Sequence, residues 1–190
     1  MFNVGDKIVH PMHGAGTVSA IKEQNIGDVK ETYYIISMPN EVKVMVPIEK
    51  AEELGVRNII PEKEVSKVLS VLEKDEIQQA TSNWNKRYKE NIDRMKTGNI
   101  YEVASVVRDL SFRQIENGLC TGEKKMLFSA KQILVSELVL AEHCSKEEME
   151  QLVDKKISRS FKINRLQNEN NLIGKNIVSK FIPFEGISTV

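Results

Sequence analysis

The chain has 190 residues, of which 41% are hydrophobic and 28% are charged. This composition is typical of a soluble globular protein with one domain or two small ones, and it excludes an intrinsically disordered chain. The charges of the 27 basic and 27 acidic residues cancel, so the net charge alone does not indicate a binding partner. No apolar run approaches the ~20 residues of a transmembrane helix, and the N-terminus has no signal-peptide pattern, so we expect a cytoplasmic protein.

The N-terminal part of the sequence has the pattern of short β-strands. Segments rich in β-branched and aromatic residues predict strands at 7–10, 16–21, 32–38 and 42–46. In the last of these, Val42, Val44 and Val46 alternate with Lys43 and Met45, which is typical of a half-buried strand. Residues with turn preference lie between the strands, at 13–16, 25–28 and 39–40. The pattern predicts a small β-barrel of the SH3 or Tudor type.

The remaining sequence has a helical period. Helices are predicted at 48–54, 62–72, 75–96, 100–115, 121–138 and 145–157. The segment 75–96 fits either one longer helix or a broken pair of helices. Thr121 is predicted to cap one helix, and Ser145 with Glu148 forms a predicted capping box at the start of the next. Segment 161–172 also fits a helix, whereas 174–190 has no clear period. The predicted fold class is α+β, with a Tudor-like domain at 1–55, an all-helical domain at 56–160 and a C-terminal extension at 161–190.

The only tryptophan, Trp84, lies in a basic segment. Lys86, Arg87 and Lys89 follow it closely, and bases outnumber acids from Trp84 to Lys131. A large ring is usually a core residue, and basic neighbours can be incidental. A ring displayed among cations can also serve nucleic acid, because the cations bind phosphates while the ring packs against bases. The residues alone leave both interpretations open.

Residues that could support catalysis or metal binding are sparse. His10 and His13 lie in a predicted loop without further ligands at a suitable spacing. Cys120 and Cys144 form no CxxC motif and are expected to be free thiols. The sequence contains no phosphate-binding loop, no GxSxG elbow and no HExxH helix. We therefore expect neither an enzyme nor a protein with a metal or cofactor.

Motifs in both halves of the chain resemble one family in the same order. They are 2–16 (FNVGDKIVHPMHGAG), 84–91 (WNKRYKEN), 103–110 (VASVVRDL), 122–127 (GEKKML) and 130–138 (AKQILVSEL). These segments are similar to the CarD family of bacterial transcription regulators, whose N-terminal module also occurs in transcription-repair coupling factors. The resemblance extends from about residue 2 to about residue 142.

The resemblance implies an adaptor between RNA polymerase and promoter DNA. In the family, the Tudor-like domain binds the β1 lobe of the polymerase β subunit. The helical domain contacts promoter DNA near the −10 element, where a tryptophan acts as a minor-groove wedge at the upstream edge of the bubble and stabilises the open complex. Trp84 occupies the matching position. The DNA-binding residues implied in this chain are Trp84, Lys86, Arg87, Lys89, Lys124 and Lys125.

The polymerase-binding side departs from the family pattern. Members carry an arginine where this chain has Met45, and another where it has Gln24. We expect Gln24, Lys43 and Met45 at this interface, with pairing through a strand edge and apolar contacts in place of an ion pair. We also expect a monomer that reaches the nucleoid through the polymerase. The alternative is a protein–protein adaptor, with a Tudor-like module and a helical scaffold that has no direct DNA contact.

Overall fold

The structure, a computed structural model of the chain, describes residues 1–26, 29–39, 42–74 and 83–180. Five strands come first: β1 Lys7–His10, β2 Gly14–Ile26, β3 Val29–Ser37, β4 Lys43–Pro47 and β5 Arg57–Asn58. Five helices follow: α1 Glu62–Val71, α2 Trp84–Lys96, α3 Ile100–Glu116, α4 Thr121–Glu142 and α5 Lys146–Lys180. The predicted turns at 25–28 and 39–40, the predicted helix over 75–82 and the stretch 181–190 lie wholly or partly outside the described residues.

The strands form one antiparallel sheet in the order β4-β3-β2-β1-β5. The fold class α+β is confirmed. The barrel expected from the sequence is an open sheet in the structure, with β4 and β5 at its edges. The sheet has its own apolar core, in which Ile8, Val18, Tyr34, Ile36 and Val46 are at most 1% exposed.

Strand β2 is longer than its hydrophobic pattern predicts. The pattern ends at Ile21, yet β2 continues to Ile26 and pairs with β3 as far as Val29. Residues 21–25 are all exposed, so this end of the hairpin gains little from burial. It is held mainly by its ladder of backbone hydrogen bonds. Because these bonds do not depend on side-chain type, they produce no hydrophobic alternation in the sequence.

The helices enclose the larger apolar core. Its fully buried members include Val68, Leu72, Ala104, Val107, Leu134, Leu138 and Val153. Each buried Val or Leu contributes about 1.5–3 kcal/mol relative to exposure, so this core dominates the stability of the helical half. Among the described helices, none combines the length and the apolar composition that a membrane span requires.

Side-chain caps fix where the helices begin. The capping box of Ser145 and Glu148 is confirmed, with the Glu148 N–H 3.2 Å from the Ser145 hydroxyl. The predicted cap at Thr121 is wrong: the N-cap of α4 is Cys120, whose sulfur accepts the Glu123 N–H at 3.5 Å. The predicted helix at 48–54 is only a 3-10 turn, Ile48–Lys50, followed by turns.

Helix α4 joins the two halves of the chain. The Ala15 N–H donates to the Ser136 hydroxyl at 2.8 Å, and Lys7 Nζ donates to the Leu140 carbonyl at 3.0 Å. Because β5 pairs with β1, the sheet continues to Asn58. The predicted domain limits at 55 and 160 stay predictions.

Candidate functional site

Trp84 is the first residue of α2. The side chain of Asn83 caps this helix by accepting the N–H groups of Asn85 at 3.0 Å and Lys86 at 3.3 Å. Trp84 is 41% exposed, which is unusual for a large ring and differs from the core alternative. The cap sets the direction in which the first turn, and with it the ring, leaves the helical domain.

The ring of Trp84 bridges the starts of α2 and α4. Its Nε1–H donates to the Cys120 sulfur at 2.9 Å, and its centroid lies 5.4 Å from that of Tyr88. A Cβ added to Gly122 would lie 3.3 Å from Trp84 Cζ2, so the ring edge passes close to this glycine. We call Trp84, Tyr88, Cys120 and Gly122 the tryptophan cluster. The cluster orients the ring while leaving much of it accessible.

An ion pair lies beneath the tryptophan cluster. Arg87 Nη2 donates to Glu123 Oε1 at 3.0 Å, and the two residues are 7% and 4% exposed. The same carboxylate accepts the Cys120 N–H at 3.2 Å and lies 3.5 Å from Arg113 Nε. Burial by itself would raise the pKa of Glu123, but the hydrogen bonds from Arg87 and Cys120 outweigh it and lower the pKa below the ordinary value of 4.5. The pair fastens α2 to α4 directly under the ring.

Arg87 differs from its predicted placement as an exposed cation. The sequence places it between Lys86 and Tyr88, both exposed, but its helical position turns it toward Glu123. A guanidinium that is buried and paired is not positioned to bind phosphate. In this structure Arg87 positions the tryptophan cluster.

The four predicted lysines are all exposed, but only Lys125 lies on the side of the ring. Lys125 is three residues after Gly122, so it shares a face of α4 with the glycine that Trp84 approaches. Lys86 and Lys89 lie about 160° and 140° around α2 from Trp84, because an α-helix turns about 100° per residue. Lys86 also lies 3.8 Å from Glu90.

Two helix N-termini meet at the tryptophan cluster. Trp84 begins α2, and Cys120, which it contacts, caps α4. Each helix start carries a partial positive charge of about half an elementary charge. The exposed ring therefore lies in an electropositive setting, with Lys125 on its side of α4. Such a site attracts anions and suits a phosphate backbone.

Two of the three predicted polymerase-binding residues lie on the edge strand β4, and the third lies on the hairpin of β2 and β3. Lys43 and Met45 are on β4 itself, and Met45 is 43% exposed. Strand β4 pairs with β3 only as far as Tyr33, whereas Gln24 pairs with Glu31 in the hairpin beyond it. The structure thus places Gln24 on the projecting hairpin and the other two on the neighbouring edge.

Sequence reasoning missed the residues that hold Trp84. Tyr88 could have been found, since residues four apart on a helix are neighbours and Trp84 and Tyr88 have that spacing. Cys120, Gly122 and Glu123 lie 36 to 38 positions away from their partners Trp84 and Arg87, so no local signal indicates them.

Two family models match the chain. The one described as "CarD-like/TRCF RID domain" matches residues 2–60, and the one described as "CarD, C-terminal domain" matches residues 67–154. A protein of Bacillus subtilis (strain 168) with the name "Putative transcription factor YdeB" is 40% identical over 139 residues, which cover 73% of this chain and 90% of that protein. Both halves therefore match in the order that their motifs indicated, and the chain belongs to the CarD family of transcription regulators.

Proposed function

We propose that this protein binds the β subunit of RNA polymerase through its sheet and promoter DNA through its tryptophan cluster, and so stabilises the open complex. The observation that carries the proposal is the exposed ring of Trp84 at the junction of two helix N-termini. A ring in an electropositive setting is better suited to bind a distorted DNA duplex than to bind an apolar groove of a protein. Such a protein acts in the cytoplasm, at the nucleoid.

The polymerase-binding role is supported by the matched RID domain and by the free edge of β4. An edge strand presents unpaired backbone groups that can pair with a strand of a partner. Met45 adds an exposed apolar side chain to this edge, and Lys43 adds a charge. Backbone pairing needs no arginine at these positions.

In the proposed DNA-binding role, lysines contact the phosphates and the Trp84 ring contacts the bases. Lys125 neutralises phosphates near the ring and Lys124 neutralises them from another face of α4, which gives affinity that does not depend on sequence. Lys86 and Lys89 act from the other face of α2. Insertion of the Trp84 ring offsets the unstacking of a base step, which costs about a few kcal/mol. The protein thus recognises the edge of a melted region by its deformability.

The decisive variant is Trp84→Ala, measured as the lifetime of open complexes on several promoters. Stacking of a base on an aromatic ring is worth about 1–3 kcal/mol, and 1.4 kcal/mol is a factor of ten. We expect the lifetime to fall by about tenfold, while affinity for polymerase without DNA is unchanged. The matched control is Phe128→Ala, which removes another exposed ring, 67% exposed, outside the tryptophan cluster.

An unchanged lifetime on all promoters would refute the wedge. If polymerase binding persists and no DNA dependence appears, the protein is the adaptor without DNA contact that the sequence left as an alternative. Quenching of the single tryptophan by acrylamide gives an independent check, since an exposed ring is accessible in the free protein and protected on DNA.

The sheet edge is tested separately with Met45→Glu. A charge on the exposed edge interrupts apolar contact at a polymerase surface, so we expect weaker binding to the isolated polymerase. Met12→Glu is the control, because Met12 is 37% exposed and lies in the turn between β1 and β2, away from β4. Equal polymerase affinity for both variants would remove β4 from the interface.

A further inference from the structure

Helix α5 has a strongly uneven charge along its length. The segment 147–154 contains four acids and no base, whereas 155–165 contains five bases and no acid. The change falls just beyond residue 154, where the match to the C-terminal family domain ends. The basic segment therefore lies outside the part of the chain that matches the family domain. Neither of the two proposed binding roles uses it.

Three of these bases form a solvent-facing row. Lys155, Arg159 and Lys162 are exposed, and within the described part of the chain none of them forms an ion pair. Lys156 is different, since it lies 3.0 Å from Glu73. We call Lys155, Arg159 and Lys162 the basic stripe.

The opposite face of α5 is buried, which fixes the direction of the stripe. Val153, Ile157 and Ser160 are at most 5% exposed against the helical core. Residues 155, 159 and 162 are spaced four and three apart, so they form one row about 10.5 Å long. The stripe therefore points away from the core along one line.

The base of the stripe is continuous with the face of α4 that carries Lys124. Lys131 is seven residues after Lys124, so the two share a face of α4. Lys131 Nζ lies 2.6 Å from Asp154 Oδ1, one residue before Lys155. The start of the stripe thus lies beside the face of α4 that carries Lys124 and Lys131, and Asp154 neutralises the charge of Lys131 itself.

We propose that the basic stripe binds the phosphate backbone of duplex DNA next to the segment that Trp84 contacts. Cations spaced along a line suit a backbone that carries a charge every ~3.4 Å on each strand. A protein partner fits less well, because interface cores are enriched in aromatic residues and depleted in lysine. The inference rests on the proposed DNA role, and it extends the contact to fully paired DNA without base recognition.

The test is the full-length triple variant Lys155→Gln, Arg159→Gln, Lys162→Gln, titrated against fully paired duplexes of unrelated sequence at several salt concentrations. Each lost phosphate contact reduces the slope of log K against log salt by about 0.9, so the slope should fall by about 2.7. Affinity should weaken similarly on every sequence. The control variant Lys22→Gln, Lys50→Gln, Lys63→Gln changes three exposed lysines elsewhere and should keep the original slope.

Equal affinity and slope for the triple variant and the control would overturn the proposal, provided that thermal melts of both match the parent. Loss of affinity for DNA-free polymerase, with duplex binding intact, would also overturn it, since the partner would then be an acidic protein surface. Trp84→Ala separates the two proposals. If that variant has a normal open-complex lifetime while the triple variant binds duplex DNA weakly, the proposal that Trp84 acts as a wedge is refuted. The proposal that the basic stripe binds DNA is then retained.

Discussion

The two ends of α4 each bury a carboxylate against an arginine from another part of the chain. Near the first end, Glu123 is 4% exposed and pairs with Arg87 of α2. Near the second, Glu137 is 1% exposed and pairs with Arg57 of β5 at 2.6 and 2.9 Å. The same chemical device therefore serves two purposes on one helix: the first pair builds the tryptophan cluster, and the second orients the sheet against the helices.

The pairs differ in how completely water is excluded. Both side chains of the Arg87–Glu123 pair are at most 8% exposed, whereas that of Arg57 is 32% exposed. Arg57 also donates to the Gly98 carbonyl at 2.9 and 2.7 Å, so it keeps partners without Glu137. Removing one partner of a buried pair is costly because the other charge is left without compensation. The two ends of α4 should therefore respond unequally to the same substitution.

The largest effect is expected from Glu123→Ala. It removes the Glu123 carboxylate from the buried Arg87 and the acceptor from the Cys120 N–H, so the free energy of unfolding should fall by about 3–5 kcal/mol. Urea denaturation measures this loss, with Glu142→Ala as the control on an exposed position of the same helix. Polymerase affinity should persist under native conditions and DNA affinity should fall. A loss equal to that of the control would show that the pair is dispensable.

Glu137→Ala should cost less, about 3 kcal/mol, the lower end of the range for breaking a buried pair. Arg57 retains water and Gly98, although the Ile60 N–H loses its acceptor at 3.0 Å. Each separate affinity, for polymerase and for duplex DNA, should stay near that of the parent. Open-complex lifetime should shorten, because the sheet no longer fixes the position of the ring. A normal lifetime would contradict the orienting role of this pair.

Acid should weaken the first end of α4. The pKa of Glu123 is lower in the folded protein than its ordinary value of 4.5, so its contribution to stability is present above that value and is lost as pH falls through the folded pKa. Glu148 behaves in the same direction, because the Ser145 N–H and hydroxyl lower its pKa. Unfolding curves between pH 6 and pH 3 should show a shallower acid decline in Glu123→Gln. Parallel declines would assign the acid response to other groups.

The smallest effect is expected from Cys120→Ser. Serine is among the preferred N-cap residues, and its hydroxyl is a stronger acceptor than the cysteine sulfur. We expect a gain of less than about 1 kcal/mol, measured as a small rise in melting temperature. Cys144→Ser is the control, since Cys144 caps no helix start in the structure. A loss of stability would mean that the bulk of the sulfur against Trp84 matters more than the cap.

Local patterns were enough for the class of fold and for most helix limits. The period of apolar residues indicated α1, α3 and α4, and the capping box at Ser145 marked the start of α5 correctly. Local signals also marked the basic segment that contains Trp84. They failed for Arg87, because its partner Glu123 is 36 residues away and only the fold brings the starts of α2 and α4 together.

The sequence also did not predict which face of a helix each candidate residue occupies. Reading cations along the sequence grouped Lys86 and Lys89 with Trp84, although the helical turn places them on the other side of α2. The open sheet is a second example. One edge of the sheet is β5, whose two residues are too few to give a period.

The hydrogen bonds between the sheet and α4 also bear on how the chain is made. Lys7 and Leu140 are 133 residues apart, and Ala15 and Ser136 are 121 apart. At about 5–20 residues per second, synthesis of 121 residues takes about 6 to 24 seconds. Throughout that interval the face of β1 and β2 that meets α4 is on the ribosome without its partner, open to a chaperone or to a neighbouring nascent chain.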